Sequence, residues 1–373
     1  MRQILKTGAH RSILAARQRY IAWRYNRKIR RLAQRLDRPD PELLSTHRKL
    51  WGPISPFRIH PGWLNWYSHT SGMETTEFVP ESTYYAIIEP ALNDLNTTSA
   101  WADKNSYDLI YGHGLFPNSI IRCIHGSFFD RNYEPLELTS QIRLLDQLQP
   151  FSEIVIKPSV GSDGGRNIRF FYRNGDRWQD QDGQKLSLEA LIRAYGSDFV
   201  VQEKLTQHPF FDQFNPSSLN SIRVMTLRLP QHSHSRILHS VLRVGPQGAK
   251  VDNNSLPGSF CIGMDHDGRL NSHATDLQGQ RFDQVNGLEL SKPMQCHEFS
   301  KVCEAAIQIA DKQFRHRMLG IDMTVDASGT PRCVEINNRY TGITLPQNNN
   351  GPLFGSLTNE VVDFCRQHSS AAR

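Results

Sequence analysis

The spacing of apolar and polar positions changes several times along the 373-residue chain. At the N-terminus it is helical. Leu14, Ile21, Tyr25, Ile29, Leu32 and Leu36 fall on one face at 3.6 residues per turn, with Trp23 beside them. Pro39 and Pro41 in RPDPE (38–42) end that helix, because proline lacks the amide proton and crowds the preceding turn. Residues 39–80 keep no clean period. Their Trp, Tyr, His and Pro content (LWGPISPFRIHPGWLNWYSH) predicts a partly irregular packing segment with an aromatic core. A helical pattern returns over residues 81–100 (YYAIIEPALNDL).

Further on, short β-like runs take over. IVIKP and NIRFF flank the glycine-rich SVGSDGG, and FVVQEKL (199–205), SIRVMTLRL and RILHSVLRVG follow. LSLEALIRAYG (186–196) and HEFSKVCEAAIQIADKQFR (297–315) are helical interruptions. GIDMTVD (320–326) and RCVEIN (332–337) read as two strands joined by a turn at DASGT (326–330). Asn348–Asn350 reads as a short polar loop. The mixture predicts an α+β fold.

Two places on this scaffold carry candidate chemistry. In a strand, alternate side chains share a face, so Glu335 and Asn337 point the same way, and a hairpin can bring Asp322 beside them. Two carboxylates and an amide oxygen suit Mg²⁺ carrying phosphates; an acidic strand end with a polar neighbour is the plainer alternative. Upstream, Lys157 lies on the strand before Gly161, Ser162, Gly164 and Gly165. Such a loop lets backbone N–H groups approach a phosphate, with the lysine as a point charge, or it is simply a hairpin turn. It is not a Walker A loop, since no Gly-Lys-Ser/Thr follows and the next element is a strand.

The order of these parts resembles the ATP-grasp superfamily, in which two α+β lobes clasp ATP. The spacing of thirteen from Asp322 to Glu335 and two to Asn337 is similar to members of the D-alanine–D-alanine ligase type. YYAIIEPALND (84–94), VVQEKLTQHPFF (200–211), SSLNSIRVMTLRL (217–229) and VDNNSLPGSF (251–260) resemble the sugar-transfer-associated subgroup. The resemblance covers roughly residues 80 to 360. It implies a small lobe (101–205) and a large lobe with the metal site (206–373), after the basic helical extension (1–38) and the aromatic-rich and helical segment (39–100) that the residue pattern gives. It also implies ATP and Mg²⁺ as cofactors. Lys104 and Lys157 become the nucleotide lysines, and residues 161–165 the loop over the phosphates. Gln202, Glu203, Lys204 and Leu205 become the adenine and ribose hinge, and Asp322, Glu335 and Asn337 the metal ligands.

Four further readings stay open. Arg223 could reach the γ-phosphate or a substrate carboxylate, or pair with a nearby acid. Asn220 could cap a loop or touch substrate. Asp252 and Asn253 resemble a substrate-side loop, and turn formation explains them equally. Amide-forming relatives carry an arginine two residues before the first metal-binding aspartate, where this chain has Gly320. That shifts oxyanion stabilisation to another donor, with Arg223 or Arg339 as candidates.

Composition narrows the class. The six cysteines form no C-x-x-C pair, which predicts buried thiols in a reducing cytoplasm rather than zinc or a disulfide framework. No apolar run reaches the ~20 residues of a bilayer span, and no signal-peptide core is visible. Charge is uneven: residues 1–38 hold twelve Lys/Arg and one acid, so a whole-chain balance of +6 splits into +11 here and −5 on the remainder. The basic helix could lie on an anionic membrane, bind an acidic partner such as an envelope glycan-synthesis complex, or pack its stripe on its own domain; nucleic acid fits less well. The resemblance implies a carboxylate–amine ligase acting through an acyl phosphate on a sugar acid or amino acid and an amine acceptor, in polysaccharide or cell-envelope sugar synthesis. A kinase acting on a sugar or alcohol hydroxyl, and a non-catalytic partner-binding protein, are the alternatives.

Overall fold

Two antiparallel sheets organise the computed structural model, which describes residues 2–161, 165 and 167–371. The smaller has six strands in the order β2-β1-β6-β3-β4-β5, with β1 Ser119–Ile124, β2 Ser127–Phe129, β3 Glu153–Pro158, β4 Arg169–Asn174, β5 Arg177–Asp180 and β6 Phe199–Glu203. The larger has seven, in the order β11-β10-β9-β8-β7-β14-β15. These are β7 Ser221–Leu227, β8 Arg236–Val244, β9 Phe260–Met264, β10 Leu270–Thr275, β11 Arg281–Phe282, β14 Met318–Val325 and β15 Pro331–Asn337. A separate ribbon pairs β12 Gln284–Val285 with β13 Leu288–Glu289.

Strand alternation assigns each face. In β3, Ile154 and Ile156 join Phe199 and Val201 of β6 in a core capped by helices Gln141–Leu148 and Leu188–Tyr195. Val155 and Lys157 therefore face the other way, toward the larger sheet. In β14, Leu319, Ile321, Met323 and Val325 pack with helix Phe299–Lys312, which presents Val302, Ala306 and Ile309 to them. Gly320 and Asp322 are left on the opposite face. Met225, Leu227 and Met318 on that face close against Tyr84, Ile88 and Val361 in a second core.

Three expectations need correction. The aromatic segment is less irregular than its pattern implies: it holds helices Pro41–Trp51 and Gly62–Ser71, the first started by the Asp40 side chain accepting from Leu43 N at 2.8 Å. Asn348–Asn350 is no loop. It ends helix Thr344–Asn350, where Asn349 Nδ2 donates to Thr275 Oγ1 at 2.8 Å and Asn350 Nδ2 to Ser240 O at 2.9 Å. Tyr107 and Tyr111, expected in the small lobe, pack in the core of the larger one, and the smaller sheet begins only at Ser119. The helical 81–92 region contains a π-turn at Tyr84–Ile88, where Glu89 N donates to Tyr84 O. Pro90 cannot donate to Ala86 O and would crowd that carbonyl, so the turn before it widens.

The N-terminal helix Arg2–Leu32 packs its predicted stripe inward from Ile21 onward: Ile29 is fully buried and Tyr25 stacks on Tyr85 at 4.5 Å. None of the six cysteines is in a disulfide. Among the described residues, no helix is long and apolar enough to cross a membrane.

Candidate active site

A cavity of about 300 Å³ lies between the two sheets, with β3 and β6 on one side and β7, β8, β14 and β15 on the other. Register builds its floor. Arg223, Asp322 and Glu335 stand directly opposite one another on β7, β14 and β15, so their side chains share a face. A β-bulge follows, since Asp322 pairs with Glu335 but Met323 pairs with Cys333. The extra residue, Val334, lines the cavity together with Glu335.

Ion pairs fix this floor. Arg223 Nη2 donates to Asp322 Oδ2 at 3.0 Å, and its Nε donates to Oδ1. Arg243, from β8, donates Nη1 to the same Oδ2 at 2.7 Å and Nη2 to Asp252 O at 3.1 Å. Burial pushes the Asp322 carboxyl up, but the two guanidiniums reverse this and hold it at about 2. Burial also raises Asp252, and Arg243 opposes the rise. Arg243 had no signal in the sequence beyond its place in an apolar strand; only the pairing of β8 with β7 brings it to the site.

The roof carries the lysines. Lys104, on the turn Lys104–Ser106, is held by its backbone N donating to Ser159 O at 2.9 Å. Its Nζ donates to Glu335 Oε1 at 2.9 Å. Lys157 is only 5% exposed, lines the cavity, and its ammonium makes no ion pair with a described residue. Burial, with Lys104 nearby, lowers its pKa to about 8 against the pull of Glu335.

The structure gathers Lys104, Lys157, Arg223, Asp322, Glu335 and Asn337 at one place. Gln202, Glu203, Lys204, Leu205, Asp252, Asn253 and Gly165 line the same cavity. Gln202 Nε2 donates to Pro117 O at 3.2 Å, while its buried Oε1 has no partner among the described residues. Glu203 Oε1 accepts from Asn118 N at 3.1 Å, and Lys204 pairs with Glu153 at 2.8 Å. Asn253 forms a local turn, accepting from Ser255 N at 3.0 Å. Gly161 and Gly165 both have positive φ, and a Cβ at Gly165 would come within 2.9 Å of Val251 Cγ2, so Gly165 packs closely against Val251. Ser162 and Gly164 lie outside the described residues.

Two candidates sit elsewhere. Asn220 is fully buried and donates to Gln207 Oε1, Phe211 O and Asn215 O, which makes it a buttress beneath the cavity rather than part of its lining. Arg339 stacks over the Tyr340 ring at 4.8 Å, outside the cavity wall. Among the described residues, no group of three His, Cys, Asp or Glu side chains is placed to hold a metal, so the Asp322–Glu335–Asn337 set depends on an amide oxygen for its third donor.

Comparison with solved structures returns ligases at low similarity. The D-Ala:D-Ser ligase VanG of Enterococcus faecalis is 11% identical, over 73% of this chain and 63% of that one, with a TM-score of 0.40. The D-alanine–D-alanine ligase of Bacillus anthracis is 14% identical, over 72% and 67%, with a TM-score of 0.36. The D-cycloserine synthetase DcsG is 13% identical, over 72% and 70%, with a TM-score of 0.38. The chain thus spans less than two thirds of the first of these. No curated protein matches it. The family profile for sugar-transfer-associated ATP-grasp proteins matches residues 88–362, which include both sheets and every residue of the cavity described above, and the chain belongs to that family.

Proposed function

We propose that the protein is an ATP-dependent carboxylate–amine ligase acting on a sugar-derived or amino-acid substrate. The observation that carries this reading is Lys157. A buried ammonium without an anionic partner is costly, and a nucleotide phosphate in the cavity supplies the missing charge. Lys104 adds a second cation across Glu335, and Gly165 lines the cavity from which a glycine-rich loop would approach the phosphates. The unpartnered Gln202 Oε1 is an acceptor suited to an exocyclic amine of the base.

The donor set fits a hard divalent cation. Glu335 is 25% exposed in the cavity, and Asn337 adds an amide oxygen. Asp322 Oδ2 is occupied by Arg223, Arg243 and Asn337, while among the described residues Oδ1 accepts only from Arg223 and keeps a lone pair. Bound there, Mg²⁺ would offset phosphate charge during transfer.

In the proposed reaction a substrate carboxylate takes the γ-phosphoryl group, giving an acyl phosphate and ADP. An amine then displaces phosphate to form the amide. The chain's residues position the reactants and stabilise charge. Arg223 spends three of its five N–H donors on Asp322 and Thr341, so others remain for a developing oxyanion. Its side chain lies over Gly320, so Arg223 is a candidate to stand in for the arginine that the resemblance implies at that position. The family's sugar-transfer association favours a sugar acid or amino sugar within polysaccharide or envelope synthesis.

The test is ATP turnover with Mg²⁺ against a panel of sugar acids, amino acids and amines, followed by mass spectrometry, with Lys157→Met and Glu335→Ala as controls. ADP and phosphate appearing only with a carboxylate–amine pair, together with amide mass, is the expected result. A stable phosphorylated hydroxyl would replace the ligase with a kinase.

A further inference from the structure

The N-terminal helix has a second face that the body of the protein does not use. Its inner face is fixed in three ways: Lys28 Nζ pairs with the buried Glu81 at 2.9 Å, Trp63 Nε1 donates to Asn26 Oδ1 at 3.2 Å, and Ala22 and Ile29 are buried. On the opposite face, Ile13, Tyr20 and Trp23 are 66%, 60% and 57% exposed. At 100° per residue these three share one stripe with Arg17, Arg24, Arg27 and Arg31, all exposed. None of those arginines forms an ion pair with a described residue, and no Asp or Glu occurs before Asp37. From residue 13 to residue 31 the stripe runs for about 27 Å.

We propose that this outer face docks the protein on an anionic lipid surface. Clustered positive charge without internal counter-ions calls for an anionic partner, and exposed Ile, Tyr and Trp within it call for an apolar one. A membrane interface offers both in a plane, which suits a straight helix held rigidly against a folded body. Long arginine stems and amphipathic rings settle at headgroup depth. A nucleic acid fits less well. Tyr20 and Trp23 stack on each other, centroids 6.1 Å apart, Arg27 covers Trp23 at 5.6 Å, and the rings are not splayed as platforms for bases.

The full-length protein is sedimented with vesicles of phosphatidylcholine alone, and of phosphatidylcholine with about 30% phosphatidylglycerol. Binding is expected to the anionic vesicles only, weakening with salt. Tyr20→Ser/Trp23→Ser and Arg24→Glu/Arg27→Glu are each expected to lower the partition coefficient at least about tenfold. The melting temperature should stay unchanged, because none of these side chains is buried against the body; Arg17→Gln/Arg31→Gln is a milder pair for the same readout. Equal binding to both vesicle types, no binding, or binding indifferent to the aromatic pair would overturn the proposal. So would a single-stranded oligonucleotide that binds tightly and displaces the protein from vesicles.

Discussion

Arg223 lies across Gly320. A Cβ built on Gly320 would stand 3.1 Å from Arg223 Cδ and 2.8 Å from Thr341 O. The glycine is therefore what lets a guanidinium from the neighbouring strand reach Asp322. Gly320→Ala is expected to displace Arg223, destabilise the protein by about 1–3 kcal/mol, and lower turnover more than nucleotide affinity. Denaturation midpoints and a kcat against KM comparison check this. Unchanged kcat in a folded variant would count against a role for Arg223 in the reaction.

Lys157 separates stability from function. Removing a desolvated ammonium relieves an unfavourable burial, so Lys157→Met is expected to raise stability by up to about 3 kcal/mol. The same change should weaken ATP binding at least tenfold, by roughly 1.4 kcal/mol or more. Thermal melting and nucleotide titration on one preparation give both numbers. A destabilised variant with normal ATP affinity would show that Lys157 has its partner within the protein.

Arg243 bridges the buried Asp322 and the partly buried Asp252. Arg243→Met leaves Asp322 with Arg223 alone and Asp252 with only its Ser221 contacts, and should cost up to about 3 kcal/mol. Adding Asp252→Asn removes one stranded charge, so the double variant should be more stable than Arg243→Met alone. Chemical denaturation of the four proteins in the cycle measures the coupling.

Glu89 gives a pH signature separate from the cavity's Lys157 and Asp322, with Arg339 as the nearby cation that opposes its rise. It is buried, accepts from Thr341 N at 3.1 Å, and burial lifts its pKa from 4.5 to about 7 despite that bond. The folded state then holds a proton that the unfolded state releases. The stability from this group is complete below pH 4.5 and is lost as pH rises to about 7. Wild-type melting temperature should fall across that window by the equivalent of a few kcal/mol at most, and Glu89→Gln should remove that part of the slope.

Much of the candidate site was legible in the sequence because strand chemistry is local. The alternation of CVEIN puts Glu335 and Asn337 on one face, and a hairpin through DASGT can bring Asp322 beside them; the bulge at Val334, which the sequence does not signal, is what sets Glu335 rather than Val334 opposite Asp322. In the structure the same alternation sets Lys157 on the face opposite Ile154 and Ile156. Helix Phe299–Lys312 was readable from its spacing of apolar positions. The polar run at 348–350 reads as a loop because asparagine usually marks one; in the structure it closes a helix, where Asn349 and Asn350 donate to Thr275 Oγ1 and Ser240 O across the fold.

The sequence by itself determined which side chains each strand offers and to which face. It also determined that the N-terminal segment is a helix with far more positive charge than the rest of the chain. Only the tertiary structure decided how those faces meet. Non-local pairing of β8, β7, β14 and β15 set Arg243 and Arg223 on Asp322, although these residues lie 79 and 99 positions from it. Whether Arg223 pairs with an acid, and whether the helix keeps one face or two, depends on burial. Burial depends on what packs opposite, and a one-dimensional period cannot specify that.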